Sequence, residues 1–137
     1  MDITEIKVEE YTSPSVVTID GEENLDRAME LMQEHGIRHL PVTVAGDIAG
    51  IISERDVVTH IGKDWTRMLK IEDIMSTSLV SVYKNESLGD VAFQLSSKKI
   101  GSALVLDDDE SLYGIFTTTD ALNALVEIFY PGKGLTF

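Results

Sequence analysis

The chain contains no cysteine. Disulfides, thiolate zinc sites and thiol nucleophiles are therefore excluded, and a cytoplasmic setting is expected. Long apolar runs are missing too. None reaches the roughly 18 residues that a membrane helix needs, so no membrane association is expected. The opening Met1-Asp2-Ile3-Thr4-Glu5 has neither a basic end nor an apolar core and does not read as a signal peptide. Positive charge is scarce: 11 Lys and Arg stand against 24 Asp and Glu, for a net charge of −13. General binding to nucleic acid is not expected of such a chain. Catalytic signatures are also absent. There is no His-Glu-x-x-His, no Gly-x-Ser-x-Gly and no phosphate loop. His35, His39 and His60 have no nucleophile beside them in the sequence. The chain reads as a non-enzyme with no resident cofactor or metal.

What is present is a repeat. Gly50-Ile51-Ile52-Ser53-Glu54-Arg55-Asp56 returns as Gly114-Ile115-Phe116-Thr117-Thr118-Thr119-Asp120. Upstream, Ile6-Lys7-Val8-Glu9-Glu10-Tyr11 matches Leu69-Lys70-Ile71-Glu72-Asp73-Ile74, an offset of 70 − 7 = 63. Val17-Thr18-Ile19 matches Val80-Ser81-Val82 at the same offset. The glycines of the returning stretch are 114 − 50 = 64 apart, so one residue is inserted between. It falls in a turn, where insertions are tolerated: Ala45-Gly46-Asp47 against Asp107-Asp108-Asp109-Glu110-Ser111.

Each copy reads strand–helix–strand–strand–helix. First strands are expected near 16–19 and 79–82. Helices follow near 25–35 and 88–98, with apolar residues at helical spacing: Leu25, Ala28, Met29 and Met32, then Leu88, Val91, Ala92 and Leu95. Asn24 and Ser87 suit N-caps, and Ser87 with Asp90 resembles a capping box. Gly36 suits a helix stop, and Lys99 is a weaker one in the second copy. Strands near 39–44 and 48–53, then 102–106 and 112–117, lead into last helices near 54–61 and 118–129. One copy, of about fifty residues, would bury too little surface alone, whereas two make a credible core. The boundaries are 6–62 and 69–129 for the repeats, 63–68 for a linker that Trp65 anchors, and 130–137 for an irregular tail. The apolar residues Val57, Val58 and Ile61, and Leu122, Leu125, Val126 and Phe129, lie on the last helices and point to burial between two chains.

The hydroxyl–x–x–Asp junctions carry the functional signal. Ser53-x-x-Asp56 and Thr117-x-x-Asp120 fit N-caps with an acid in a helix's positive first turn. They also fit a ribose site, because a carboxylate only accepts and a ribose offers two adjacent hydroxyl donors. Both roles are compatible. The acidic run Asp107–Glu110 reads as a solvated turn rather than a cation loop, since it lacks spaced ligands and a glycine. The cations Arg55, Lys63, Arg67 and Lys70 are bunched. They read either as solvated surface charge or as a local offset to acidity beside an anionic ligand.

From about Val8 to Ala124 the sequence resembles a tandem pair of CBS domains, often called a Bateman module. Ala28-Met29-Glu30-Leu31-Met32, Gly36-Ile37-Arg38-His39-Leu40-Pro41-Val42 and the Gly50–Asp56 stretch fit that pattern closely. The second copy departs from it, with Leu104 where Pro41 stands and Gly101-Ser102 for Arg38-His39. The resemblance implies an α/β (α+β) fold of two pseudo-symmetric repeats packed through their sheets, with two clefts. It implies binding of an adenosine ligand, such as AMP, ADP, ATP or S-adenosylmethionine. It implies a homodimer, and a regulatory or energy-sensing role toward an unknown partner protein. Ser53 and Asp56 would serve one cleft, with Arg55 beside them. Thr117 and Asp120 would serve the other, with Thr119 beside them. By the crossed pseudo-symmetry, Thr12, Val17, Ile37, Arg38 and His39 would wall the Asp120 cleft. Met75, Val80, Ile100, Gly101 and Ser102 would wall the Asp56 cleft. With Arg38 and His39 on its wall, the Asp120 cleft is the better expected nucleotide site. Two rival readings are a structural dimerisation module with empty clefts and a small nucleotide-processing enzyme.

Overall fold

A computed structural model of the chain describes residues 2–14, 17–63 and 67–132. Val16 and Trp65 lie outside the described residues, as does the end of the tail. In chain order come two short 3-10 helices, Ile3–Glu5 and Val8–Tyr11, then β1 (Ser13–Pro14), β2 (Ile19–Asp20) and α1 (Leu25–His35). Next are β3 (His39–Val44), β4 (Asp47–Ser53), α2 (Glu54–His60) and α3 (Ile71–Ile74). The chain continues with β5 (Ser81–Tyr83), α4 (Leu88–Lys98), β6 (Ser102–Leu106), β7 (Leu112–Thr117) and α5 (Thr118–Phe129). The fold is mixed α/β with two sheets, and the chain divides into two compact units.

One unit is Val17–Leu79. Its sheet has the order β2-β3-β4, with β2 parallel and β4 antiparallel to β3. Leu25, Ala28 and Met32 of α1 pack on Leu40, Val42 and Ile52 of the strands and on Val57 of α2. The apolar spacing of α1 is therefore the spacing of its buried stripe. Asn24 Oδ1 accepts from the Arg27 N–H at 2.9 Å, and Gly36 at φ 62° ends the helix. α3 closes the unit, with Ile71 fully buried.

The other unit joins Met1–Val16 to Val80–Phe137. Its sheet order is β1-β7-β6-β5. Val8, Val82, Val91, Val105 and Phe116 are fully or nearly fully buried at its centre. Ser87 Oγ accepts from the Asp90 N–H at 3.4 Å, but only this half of the expected capping box is formed. Lys99 ends α4 at φ 56°, in the same left-handed conformation as Gly36. The helix stops there even though a side chain in that region costs roughly 1–2 kcal/mol.

Sequence repeats and spatial units do not coincide. Residues 6–14 open the first repeat, yet they belong to the unit built from the second. Residues 69–79 open the second repeat and belong to the unit built from the first. The docking bonds correspond across the repeat. Val8 N–H donates to the Glu86 carbonyl and Ile71 N–H to the Glu23 carbonyl, each at 2.9 Å. Val8 and Ile71 are both fully buried, which contributes about 1.5–3 kcal/mol apiece. Among the described residues the first strands sit a little later than expected, at Ile19–Asp20 and Ser81–Tyr83, where they pair with β3 and β6. No helix among the described residues is long and apolar enough to cross a membrane.

Candidate functional site

The β4–α2 junction starts from Ser53, at the strand end and helix N-cap. Asp56 Oδ2 accepts from the Ser53 N–H at 3.0 Å and from its Oγ at 2.8 Å. Ser53 Oγ accepts in turn from the Asp56 N–H at 3.2 Å. The capping box is therefore closed, and all of these carboxylate bonds fall on one oxygen. Both side chains are half-buried, and Arg55 between them is exposed. His39 stands opposite Ser53 in the ladder, and the Arg38 carbonyl accepts from the Glu54 N–H at 2.8 Å. So the β3 entrance and the α2 start are tied together, with the Arg38 side chain exposed beside them. Ile37 packs partly on the core, as do Val17 and Met75.

The β7–α5 junction repeats this geometry. Asp120 Oδ2 accepts from the Thr117 N–H at 2.8 Å and from its Oγ1 at 3.1 Å. Ser102 stands opposite Thr117, and the Gly101 carbonyl accepts from the Thr118 N–H at 3.1 Å. Thr119 is exposed and Ile100 half-buried. Thr12 is buried in this same unit, its Oγ1 donating to the Val8 carbonyl at 2.8 Å. Val80 lies in the core, and its carbonyl accepts from the Leu104 N–H.

Each unit thus gathers one candidate set. Ser53, Asp56, Ile37, Arg38, His39, Val17 and Met75 fall in Val17–Leu79. Thr117, Asp120, Ile100, Gly101, Ser102, Thr12 and Val80 fall in the other unit. The cationic Arg38 is joined through its backbone to the motif that carries Asp56.

Two neighbours were not singled out from the sequence. Ser13 and Ser76, one repeat offset apart, run against the glycines that open β4's and β7's motif stretches. A β-carbon on Gly50 would sit 2.6 Å from Met75 Sδ and 2.7 Å from the Ser76 carbonyl oxygen. One on Gly114 would sit 3.0 Å from Thr12 Cγ2 and nearer still to the Ser13 carbonyl oxygen. The repeat offset was the signal that could have found them.

The acidic turn is self-satisfied. The Asp108 N–H, and then the Lys84 ammonium at 3.0 Å, hold the Asp107 carboxyl below the usual carboxylate range. Hydrogen bonds from Ser111 do the same for Asp109. Among the described residues no group of three His, Cys, Asp or Glu could hold a metal ion.

A family model described as "CBS domain" matches the chain twice, over residues 8–63 and 71–127. The CBS domain-containing protein YhcV of Bacillus subtilis is 30% identical over 116 residues, covering 82% of this chain and 81% of the relative. An uncharacterized Methanocaldococcus jannaschii protein, MJ1225, is 25% identical over 127 residues, covering 84% of this chain and 45% of the relative. The chain spans less than half the length of this and two other relatives from that organism. Among solved structures, the CBS domain pair of protein MJ0100 in complex with 5′-methylthioadenosine and S-adenosyl-L-methionine is 25% identical. Its TM-score is 0.75, with 88% of this chain and 95% of that chain covered.

Proposed function

This chain belongs to the CBS domain family, and we propose that it is a cytoplasmic regulatory module that binds an adenosine-containing ligand and controls a partner protein. The observation that carries the reading is the repeated junction. In each unit an Asp is held by the N–H and hydroxyl of a residue three positions earlier. One carboxylate oxygen is thereby fixed, and the group is aimed from the first turn of a helix. A ribose diol donates two hydrogen bonds to such an acceptor, and charge-assisted bonds of this kind are among the stronger ones. The binding of methylthioadenosine and S-adenosylmethionine by the MJ0100 pair supports the class of ligand.

The two junctions differ in charge. Arg38 and His39 stand beside Ser53, whereas Gly101 and Ser102 stand beside Thr117. We assign the phosphate-bearing ligand to the Ser53–Asp56 junction, since an anion approaching a chain of charge −13 needs a nearby cation. This reverses the preference drawn from the sequence, which counted Arg38 toward Asp120. Control of the partner follows from differential binding. A ligand favours one conformation, and the partner distinguishes it from the other. The assembly is a homodimer, because α5 leaves Leu122, Leu125, Val126 and Phe129 exposed.

A second reading rests on the same geometry. Both capping boxes are closed, so the junctions could serve helix initiation alone, in a dimerisation module that binds nothing. Calorimetry with AMP, ATP, S-adenosylmethionine and methylthioadenosine tests the choice. Micromolar binding of one of them is expected. Arg38→Ala should weaken AMP and ATP by about tenfold, the size of one lost charge-assisted contact, and leave methylthioadenosine nearly unchanged. No heat and no thermal shift with any of the four would support the ligand-free module.

A further inference from the structure

The repeat pairs α2 with α5, but the two helices end differently. At the offset of 64, the last residue of α2, His60, matches Ala124, and α5 runs on to Phe129, 129 − 124 = 5 residues further. Ile61 is already extended, and Gly62 at φ 84° turns the chain in a conformation that suits glycine. A cavity of about 520 Å³ opens there, between the end of α2 and the start of α1. Small-molecule sites are commonly about 300–1,000 Å³. Asn24 and Asp26 line this one from α1, and Ile61, Gly62, Lys63 and Arg67 line it from the other side.

The cavity collects charge that the repeated fold does not need. Lys63 and Arg67 line it, and Lys70 stands opposite Asn24 in an isolated bridge. The bunched cations of the sequence are thereby sorted: these three surround the start of α1, and Arg55 lies in the first turn of α2, at that helix's other end. At the positions matching Asp26, Lys63 and Arg67 the second repeat carries Gly89, Glu127 and Pro131. Arg67 is exposed and makes no ion pair among the described residues, in a chain of charge −13. The positive end of α1 adds the same sign of potential.

A phosphoryl group suits the cationic side. Arginine presents parallel N–H donors to phosphate oxygens, and lysine adds a compact point charge. Asp26 sets a second condition. It repels a bare phosphate, because a carboxylate only accepts, and it favours a ligand that brings hydroxyl donors beside its phosphate. We propose that this cavity binds a phosphate monoester of a polyol, such as a sugar phosphate, with the phosphate on Lys63 and Arg67 and a hydroxyl on Asp26. The site lies within Val17–Leu79, at the opposite end of α2 from the Ser53–Asp56 junction, and is separate from the adenosine-ligand site proposed above.

Glucose 6-phosphate, glucose and inorganic phosphate are the probes, each titrated into nitrogen-15-labelled chain and followed by NMR. Glucose 6-phosphate should shift the amides of Leu25, Asp26, Gly62 and Lys63 and bind about tenfold tighter than phosphate, the size of one added bond to a charged group. Glucose should not bind. Arg67→Ala should weaken glucose 6-phosphate by about tenfold, and Asp26→Ala should abolish its preference over phosphate. Both residues are exposed, so neither change threatens folding. The site is overturned by no shift at these amides, by shifts confined to the Ser53 and Thr117 junctions, by equal binding of the two phosphate compounds, or by an Arg67→Ala chain that binds like the parent. None of these results bears on the adenosine-ligand reading, which the AMP and methylthioadenosine titrations decide.

Discussion

Ile51 and Ser76 exchange both of their backbone hydrogen bonds, at 3.0 and 2.9 Å, so the segment after α3 seals the edge of β4. Gly50 permits it. The equivalent close approach is Gly114 against Ser13. Gly50→Ala and Gly114→Ala should each destabilise by about 1–3 kcal/mol through overpacking. Gly114→Ala should cost more, because its nearest obstacle is backbone, whereas Gly50 first meets the flexible Met75 side chain. Urea midpoints measure both, and unchanged midpoints would show that these edges are not sealed.

The β3–β4 turn carries Ala45 at φ 53° and Gly46 at φ 86°. Two positive φ values in a two-residue hairpin loop call for Asn-Gly. Ala45 is exposed, so nothing is packed against it to lose. Ala45→Asn should therefore stabilise by about 1 kcal/mol, the cost that an ordinary side chain bears in this region. A lower urea midpoint for the variant would contradict the turn assignment.

Lys84 and Asp107 give a pH signature. Asp107 is held below its ordinary value by the Asp108 N–H and then by Lys84. Its contribution to stability is present above the ordinary Asp value, about 3.9, and is lost as pH falls through the lower folded value. Lys84 is raised, first by its hydrogen bond to Asp107. That contribution is complete below the ordinary lysine value, about 10.4, and is lost as pH rises through the folded value. Both groups are at the surface, so the effect is small. Asp107→Asn should flatten the acid limb of the stability–pH curve and lower the Lys84 titration seen by NMR. An unmoved Lys84 would show that the pair does not form.

Most elements were legible because their signals are local. α1 and α4 followed from Leu25, Ala28 and Met32 and from Leu88, Val91 and Leu95, whose spacing is the buried stripe itself. β3, β6 and β7 followed from apolar runs bounded by turn residues. The stop at Lys99 was harder to read, since a lysine in the left-handed region has no sequence signature; Gly36 at the repeat position was the clue. The membership of residues 6–14 in the opposite unit was not legible. Val8 and Ile71 read equally well as core of either repeat, and only the bonds to Glu86 and Glu23 decide between them. At the junctions the sequence named Ser53, Asp56, Thr117 and Asp120. It could not show that Arg38 reaches Glu54 through a carbonyl, because a backbone bond depends on where the chain runs and not on side-chain type.

The central claim is that Asp56 and Asp120 receive ribose hydroxyls as well as capping α2 and α5. Calorimetric titration of Asp56→Asn and Asp120→Asn with AMP and with methylthioadenosine tests it most directly, beside a urea curve for each variant. Capping alone predicts a loss of at most about 2 kcal/mol in stability and unchanged affinity. Ribose contact predicts a further loss of about 1.5–3 kcal/mol in binding, or roughly tenfold to hundredfold in the dissociation constant. The account predicts that Asp56→Asn produces this loss for AMP. Folded variants that both bind AMP and methylthioadenosine as the parent does would contradict it.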